Sequence, residues 1–301
     1  MRVAFNDSDG KLYPLRRRVE LEEDEIVGED ASPDLVVSRE VKEVGVPTFG
    51  ITTELPALAL GYSLTEKEGY DYFLTKIFDE DWGEGVFLGI PIRGLMNEDC
   101  GAQVTSACWV KGIDSGYLES FFKCGHLENT LRHMKFTGPV SILFNSYDRK
   151  VTSVMTGMPT LGFYALAENI KGKISEFGVA PCGVLVRKSW GLAALFSRYP
   201  YPFQVQTTEA PLHGLALSVE RHFWVARGKR YKGVFYTRET GMGVASAWGH
   251  STGVASSRVL RTCRALHVPD RQYRTDYFLS LDRKEEALQE ILKESLGNEM
   301  S

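Results

Sequence analysis

Residues 141 to 170, SILFNSYDRKVTSVMTGMPTLGFYALAENI, constrain the fold more than any other stretch of the chain. Two short apolar runs, SILF and VTSVM, flank the polar turn formers of NSYDRK, the pattern of a strand, a turn and a second strand. Met158 and Pro159 end the extended run, and FYALAENI reads as a short helix. Core strands followed by a helix define an α/β chain. The same stretch bears on chemistry. Where a catalytic α/β domain can carry magnesium-binding carboxylates, it carries Thr152, Ser153, Val154 and Thr156.

Similar punctuation recurs elsewhere. MRVAFNDSDG reads as a first strand and loop, and the charged stretch from Arg16 to Asp30 has blocks of sign that suit a solvated loop or hairpin. PDLVVSREVKEVGVPTFG gives a strand at Leu35 to Val37, a short helix around Glu40 to Val44 and a strand near Val46 to Phe49. Strands alternating with helices favour a parallel sheet. LTEKEGYDYFLTKIF places Leu64, Tyr70, Phe73, Leu74 and Phe78 near one side of a helix, and DEDWG at 79 to 83 marks a boundary. GVFLGIPIRGLMNEDCGAQVTSACWV reads as strands around a turn at Asn97 to Gly101, and SGYLESFFKCGHLENTLRHM as a helix capped by Ser115.

From residue 173 the chain becomes β-rich. EFGVAPCGVLVRK and PLHGLALSVERHFWVARGKRYKGVFY suit antiparallel strands, and SWGLAALFSRYPYPF between them suits a short helix stopped by Pro200 and Pro202. GVASAWGHSTG and SSRVLRTCRALHV give a strand, a turn and a helix with Val259, Leu260, Cys263 and Leu266 on one face, so Cys263 reads as core filling. DRKEEALQEILKESLG closes as an amphipathic helix with Leu288, Ile291, Leu292 and Leu296 inward. The expected organisation is an N-terminal α/β unit at 1–80, a central core at 81–172 and a β-rich continuation with a C-terminal α+β segment at 173–301.

Composition excludes several classes. The five cysteines, Cys100, Cys108, Cys124, Cys182 and Cys263, form no CxxC pair, and the histidines form no HExxH pattern. Neither a disulfide framework nor structural zinc is expected. No apolar stretch reaches the roughly 18 residues of a membrane helix, and the N-terminus is too polar for a signal peptide, so the expected place is the cytoplasm. Net charge is -4, and the basic run Arg16-Arg17-Arg18 is followed by Glu20, Glu22, Glu23, Asp24 and Glu25, so nucleic acid is not expected as a partner. Nucleic-acid binding would want aromatics interleaved with Lys and Arg, and the cluster Tyr199 to Phe203 has only Arg198 beside it. Trp190, Trp224 and Trp248 read either as core or as part of a recognition surface, and His213 and His250 as packing or surface residues.

Several segments, in order, resemble the phosphoribosylamine-glycine ligase family of the ATP-grasp superfamily. PDLVV at 33–37, GVPTFG at 45–50 and LTEKEGYDYF at 64–73 resemble its N-terminal domain. IRGLMNEDCGAQVTSACWV at 92–110 resembles the stretch in which a basic residue precedes a glycine-rich run, GPVSILFN at 138–145 a core strand, and VLRTCRALHVPDRQYRTDY at 259–277 the closing helix and ending. The resemblance implies an α/β, ATP-grasp-like fold in which 81–172 is a remnant of the ATP-grasp core.

Departures from the family shape the functional expectation. Fewer than 20 residues lie between 78 and 92, where the family places a lid that contacts the nucleotide, so the ATP lid is expected to be reduced or absent. The glycine-rich run has become NEDCGAQVTSACW, in which Gln103, Val104 and Thr105 would crowd a substrate. VTSVMTGMPTLG keeps Gly157 and Pro159 but lacks the acidic residue that precedes them in the family. Magnesium needs hard oxygen ligands, usually including one or two carboxylates, which Thr and Ser do not replace.

The expected function is therefore noncatalytic, binding a partner protein or a small ligand, with no cofactor and with a protein partner or self-association. The alternatives are an ATP-dependent carboxylate–amine ligase using Mg-ATP with other acids or a partner's, and a structural component of a larger assembly. Ligand-binding candidates are Arg93, Asp99 and Gly101 around the altered glycine run and Arg274 and Asp276 near the chain end. Asp148 and Glu168 are the remaining metal candidates, the first in a turn and the second expected as a solvated helix residue.

Overall fold

The computed structural model describes residues 1–6, 13–28, 31, 35–38, 48–55, 72–78, 85–97, 101–109, 138–144, 151–157, 160–179, 189–199, 201 and 208–275, together with 283, 286, 287 and 290. Among these residues thirteen strands form one sheet. In spatial order it runs β12 (Phe223–Val225), β15 (Gly241–Gly249), β10 (Trp190–Arg198), β7 (Gly101–Trp109), β6 (Gly85–Asn97), β5 (Tyr72–Phe78), β8 (Gly138–Phe144), β9 (Val151–Gly157), β4 (Thr48–Leu55), β3 (Leu35–Ser38), β1 (Arg2–Asn6) and β2 (Glu25–Val27), with β16 (Arg271–Tyr273) beside β10. Pairing is parallel among β1 to β4, as the first segment's pattern predicts, and antiparallel elsewhere. A separate three-stranded sheet holds β11 (Ala210–Leu212), β14 (Val234–Thr237) and β13 (Lys229–Tyr231).

The opening stretch of the sequence folds as read. β8 and β9 pair antiparallel, and α2 (Thr160–Ala167) follows. Phe163, Tyr164, Ala165 and Leu166 are all buried, so α2 is apolar around most of its circumference, as a helix enclosed on several sides must be. The expected strands around Asn97 to Gly101 are β6 and β7, whose register pairs Asn97 with Gly101. The C-terminal strand, turn and helix are β15 and α5 (Thr252–Ala265), with Val259, Leu260, Cys263 and Leu266 buried. Ser251 caps α5 by accepting a hydrogen bond from the Val254 N–H at 3.3 Å.

Four expectations are corrected. The charged stretch after Arg16 belongs to α1 (Tyr13–Leu21) and β2 rather than to a solvated loop. Leu15 and Val19, one turn apart, are each 1% exposed, and ion pairs from Arg16 and Arg17 to Glu20 support the outer face. The segment Tyr72–Phe78, read as helix, is a strand paired on both edges, with β6 and β8. Glu176, read within a strand, lies in the short helix α3 (Ile174–Val179). SWGLAALFSR, read as helix, is the strand β10 between β7 and β15, with α2 and α5 packed against it. Gly191 is required there: a Cβ would lie 2.0 Å from the Ala165 carbonyl oxygen, so only glycine lets β10 approach α2 this closely.

The best-defined core draws Val3, Leu15 and Val19 together with Phe163, Tyr164, Leu166, Ile174, Ala193, Trp224 and Val244. Trp224 lies at its centre, with ring centroids 4.8 Å from Tyr164 and 6.0 Å from Phe163. Trp190 and Trp224 are thus core residues, whereas Tyr199 is 64% exposed. The helices expected around Glu40 to Val44 and from Ser115 lie outside the described residues, as does most of the C-terminal one; Arg283, Glu286, Ala287 and Glu290 are helical.

Candidate functional site

Among the described residues a buried polar cluster forms where α1, α2, β12 and β15 meet. Glu168 follows α2 in a turn and is 8% exposed, so it is not the solvated helix residue that its sequence context suggests. Its Oε1 accepts a hydrogen bond from Ser246 Oγ at 2.5 Å, and its Oε2 lies 3.4 Å from His222 Nδ1. Ser246 Oγ in turn accepts one from Trp224 Nε1 at 2.7 Å. From α1, the Arg18 guanidinium lies 4.3 Å from the Trp224 ring centroid and donates to the Arg221 carbonyl. Burial pulls the Arg18 pKa down, against the attraction of Glu168 and Glu22.

These contacts tie α2, β12 and β15 together. Serine, histidine and a carboxylate are together, but the carboxylate sits between the other two, and Ser246 is fully buried with its hydroxyl engaged on both sides. A second carboxylate, Glu220 at the end of α4 (Leu217–Glu220), is 3% exposed and joins Arg17 of α1 at 3.2 Å to Arg230 of β13 at 3.1 Å. Sequence reasoning passed over Glu220, since nothing in SVERH sets it apart from an exposed acid.

The residues proposed from sequence are distributed as follows. Arg93 lies in β6 opposite Val104, with a shift of register on either side of it. Gly101 opens β7. Arg274 is half-buried just after β16. β7 stops pairing with β10 at Ala194, and β16 takes up the same edge of β10 from Phe196 to Arg198. Asp99, Asp148 and Asp276 lie outside the described residues. His213 and His250 are exposed, and His213 and His267 exchange backbone hydrogen bonds.

No protein-family model matches the chain, and no curated protein sequence matches it. Solved structures do. The likeness is to the mixed α/β fold of a solved ligase. In particular, the crystal structure of phosphoribosylamine–glycine ligase from Thermotoga maritima superposes with a TM-score of 0.53 at 13% identity, covering 92% of this chain and 100% of that one. This likeness concerns the fold alone. A pyruvate carboxylase from Rhizobium etli gives a TM-score of 0.49 at 10% identity over 90% of this chain and 34% of its own. Phosphoribosylglycinamide synthetase from Anaerococcus prevotii gives 0.45 at 8% identity, over 67% and 53%.

The acidic side chains among the described strands are few. Within the strands β4 to β10 themselves, leaving aside the segments that connect them, the sole carboxylate is Glu54, in β4 opposite Met155. β9 contributes Thr152, Ser153 and Thr156. Glu168, the metal candidate that lies among the described residues, accepts a hydrogen bond from Ser246. Among the described residues no three His, Cys, Asp or Glu side chains converge as metal ligands.

Proposed function

We propose that the chain is a binding protein on an ATP-grasp-like frame, one that holds a partner protein or small ligand without phosphoryl-transfer chemistry. A single observation carries this reading: seven consecutive strands, β4 to β10, supply one carboxylate between them. Activating a carboxylate with ATP places several negative charges together, and magnesium held by carboxylates ordinarily offsets them. The hydroxyls of β9 offer no such charge. The irregular stretch of β6 at Arg93 and the segment after β16 that carries Arg274 are the parts of the frame that this reading assigns to a ligand.

Isothermal titration of the purified chain with ATP, with and without magnesium, tests the reading. The expected result is no magnesium-dependent binding up to millimolar ATP. Magnesium-dependent binding at micromolar strength would overturn it in favour of an active ligase and direct attention to Asp99 and Asp148.

A further inference from the structure

The small sheet of β11, β14 and β13 has a composition unlike the rest of the chain. Residues 208–275, which contain it, hold eleven Lys and Arg against four Asp and Glu, in a protein whose net charge is -4. The cations are dispersed along the sequence, so no basic run announces them; the fold gathers several at this sheet. β13 and β14 form a hairpin closed by Lys232 and Gly233, with φ of 47° and 82°, the two positive values of a tight hairpin turn.

Strand alternation then sorts the side chains. Arg230 and Phe235 are cross-strand partners on the inner face, where Arg230 meets Glu220 and Phe235 is 4% exposed. Lys229 and Tyr231 share the outer face with their partners Tyr236 and Val234. Tyr231 is 59% exposed, with Lys232 Nζ 5.3 Å from its ring centroid. Beside them runs an open groove of about 450 Å³ lined in part by Arg227, Lys229, Tyr236 and Arg238, with Glu209 and Glu239. Lys229 and Arg238 both reach Glu209, at 3.0 and 3.6 Å. Ion pairs of this kind near the surface contribute little stability.

We propose that this outer face binds single-stranded nucleic acid. A flat sheet surface with two tyrosines flanked by cations offers what an unpaired strand requires, aromatic faces for bases and positive charge along the phosphates. This departs from the expectation drawn from linear charge runs, because the alternation in ARGKRYKGVFYTRE becomes a surface only once the hairpin forms. An acidic protein segment would use the cations but gain little from the tyrosine faces, so the aromatics favour nucleic acid. The proposal is independent of the reading above: magnesium-dependent ATP binding would overturn that reading and leave this one standing.

The test is fluorescence anisotropy of labelled oligo-uridine and oligo-thymidine of about 12 nucleotides, the scale of a single-strand site. Binding is expected at micromolar strength in low salt, weakening about twentyfold between about 50 and about 200 mM salt if some three phosphates are contacted. Tyr231→Ala is expected to weaken it about tenfold, and Arg238→Glu by a similar factor. Tyr199→Ala, an exposed tyrosine outside the small sheet, should leave it unchanged. No anisotropy change at 10 times the micromolar range would overturn the proposal, where 10 is about the margin of one order in affinity. Binding insensitive to Tyr231→Ala and matched by polyglutamate would also overturn it, and would assign the face to an acidic protein. Both substituted side chains are largely exposed, and circular dichroism of each variant confirms that the fold is kept.

Discussion

Asp24 shows how a single residue escapes a reading based on charge alone. In sequence it is one acid in an acidic run, but in the structure its side chain is fully buried. Burial pushes its pKa up, and hydrogen bonds from Lys173 Nζ at 2.7 Å, from Ser175 and from the Met1 amine at 3.0 Å outweigh that push and hold it below the ordinary aspartate value. The folded state therefore binds this proton less readily than the unfolded state. Its stabilisation is complete above the ordinary aspartate pKa and is lost as pH falls through the lower folded value. Glu22 acts in the opposite sense, since burial raises its pKa despite the hydrogen bond from the Ile174 N–H. Asp24→Asn is expected to cost about 2 kcal/mol at neutral pH, with the deficit shrinking in acid. Urea unfolding over a pH series checks this, and a deficit independent of pH would show that charge is not its source. Sequence did identify the buried thiol correctly: Cys263 is core filling, and burial pushes its pKa up to about 12.

At the scale of elements, legibility followed exposure. β6 and β7 were readable because the polar run at Asn97 to Gly101 punctuates them, and α5 because one of its faces is polar. β10 was not readable as a strand. Its burial runs almost unbroken along WGLAALFS, so both faces are covered and the two-residue alternation that marks a half-exposed strand is absent. The residue with the most information about β10 is Gly191. Gly191→Ala places a methyl group into the α2 backbone and is expected to cost about 3 kcal/mol, read as a fall in the urea midpoint with an unchanged slope. A near-neutral result would mean that β10 and α2 separate at little cost. That β16 follows β7 along the same edge of β10 was not legible either, since it is a pairing across more than 70 residues that no local pattern encodes.

For the whole molecule, the α/β class expected from the order of the segments is the one the structure shows, and packing links residues of all three segments of the chain. Trp224 contacts residues of the first, second and third segments, through Arg18, Tyr164 and Ser246. Glu220 adds a buried link between α1 and β13. The described parts are therefore expected to unfold together, with tryptophan fluorescence and far-ultraviolet circular dichroism giving coincident thermal transitions. Two resolved transitions would show that these links do not couple the segments. The strand order has a consequence for synthesis. β7 receives its second neighbour only from β10, which begins at Trp190, so a ribosome must make more than half the chain before that edge is paired. Until then the nascent sheet carries an open border for other chains to join, which makes fragments ending before Trp190 prone to aggregate and gives slow translation past that point a direct bearing on yield.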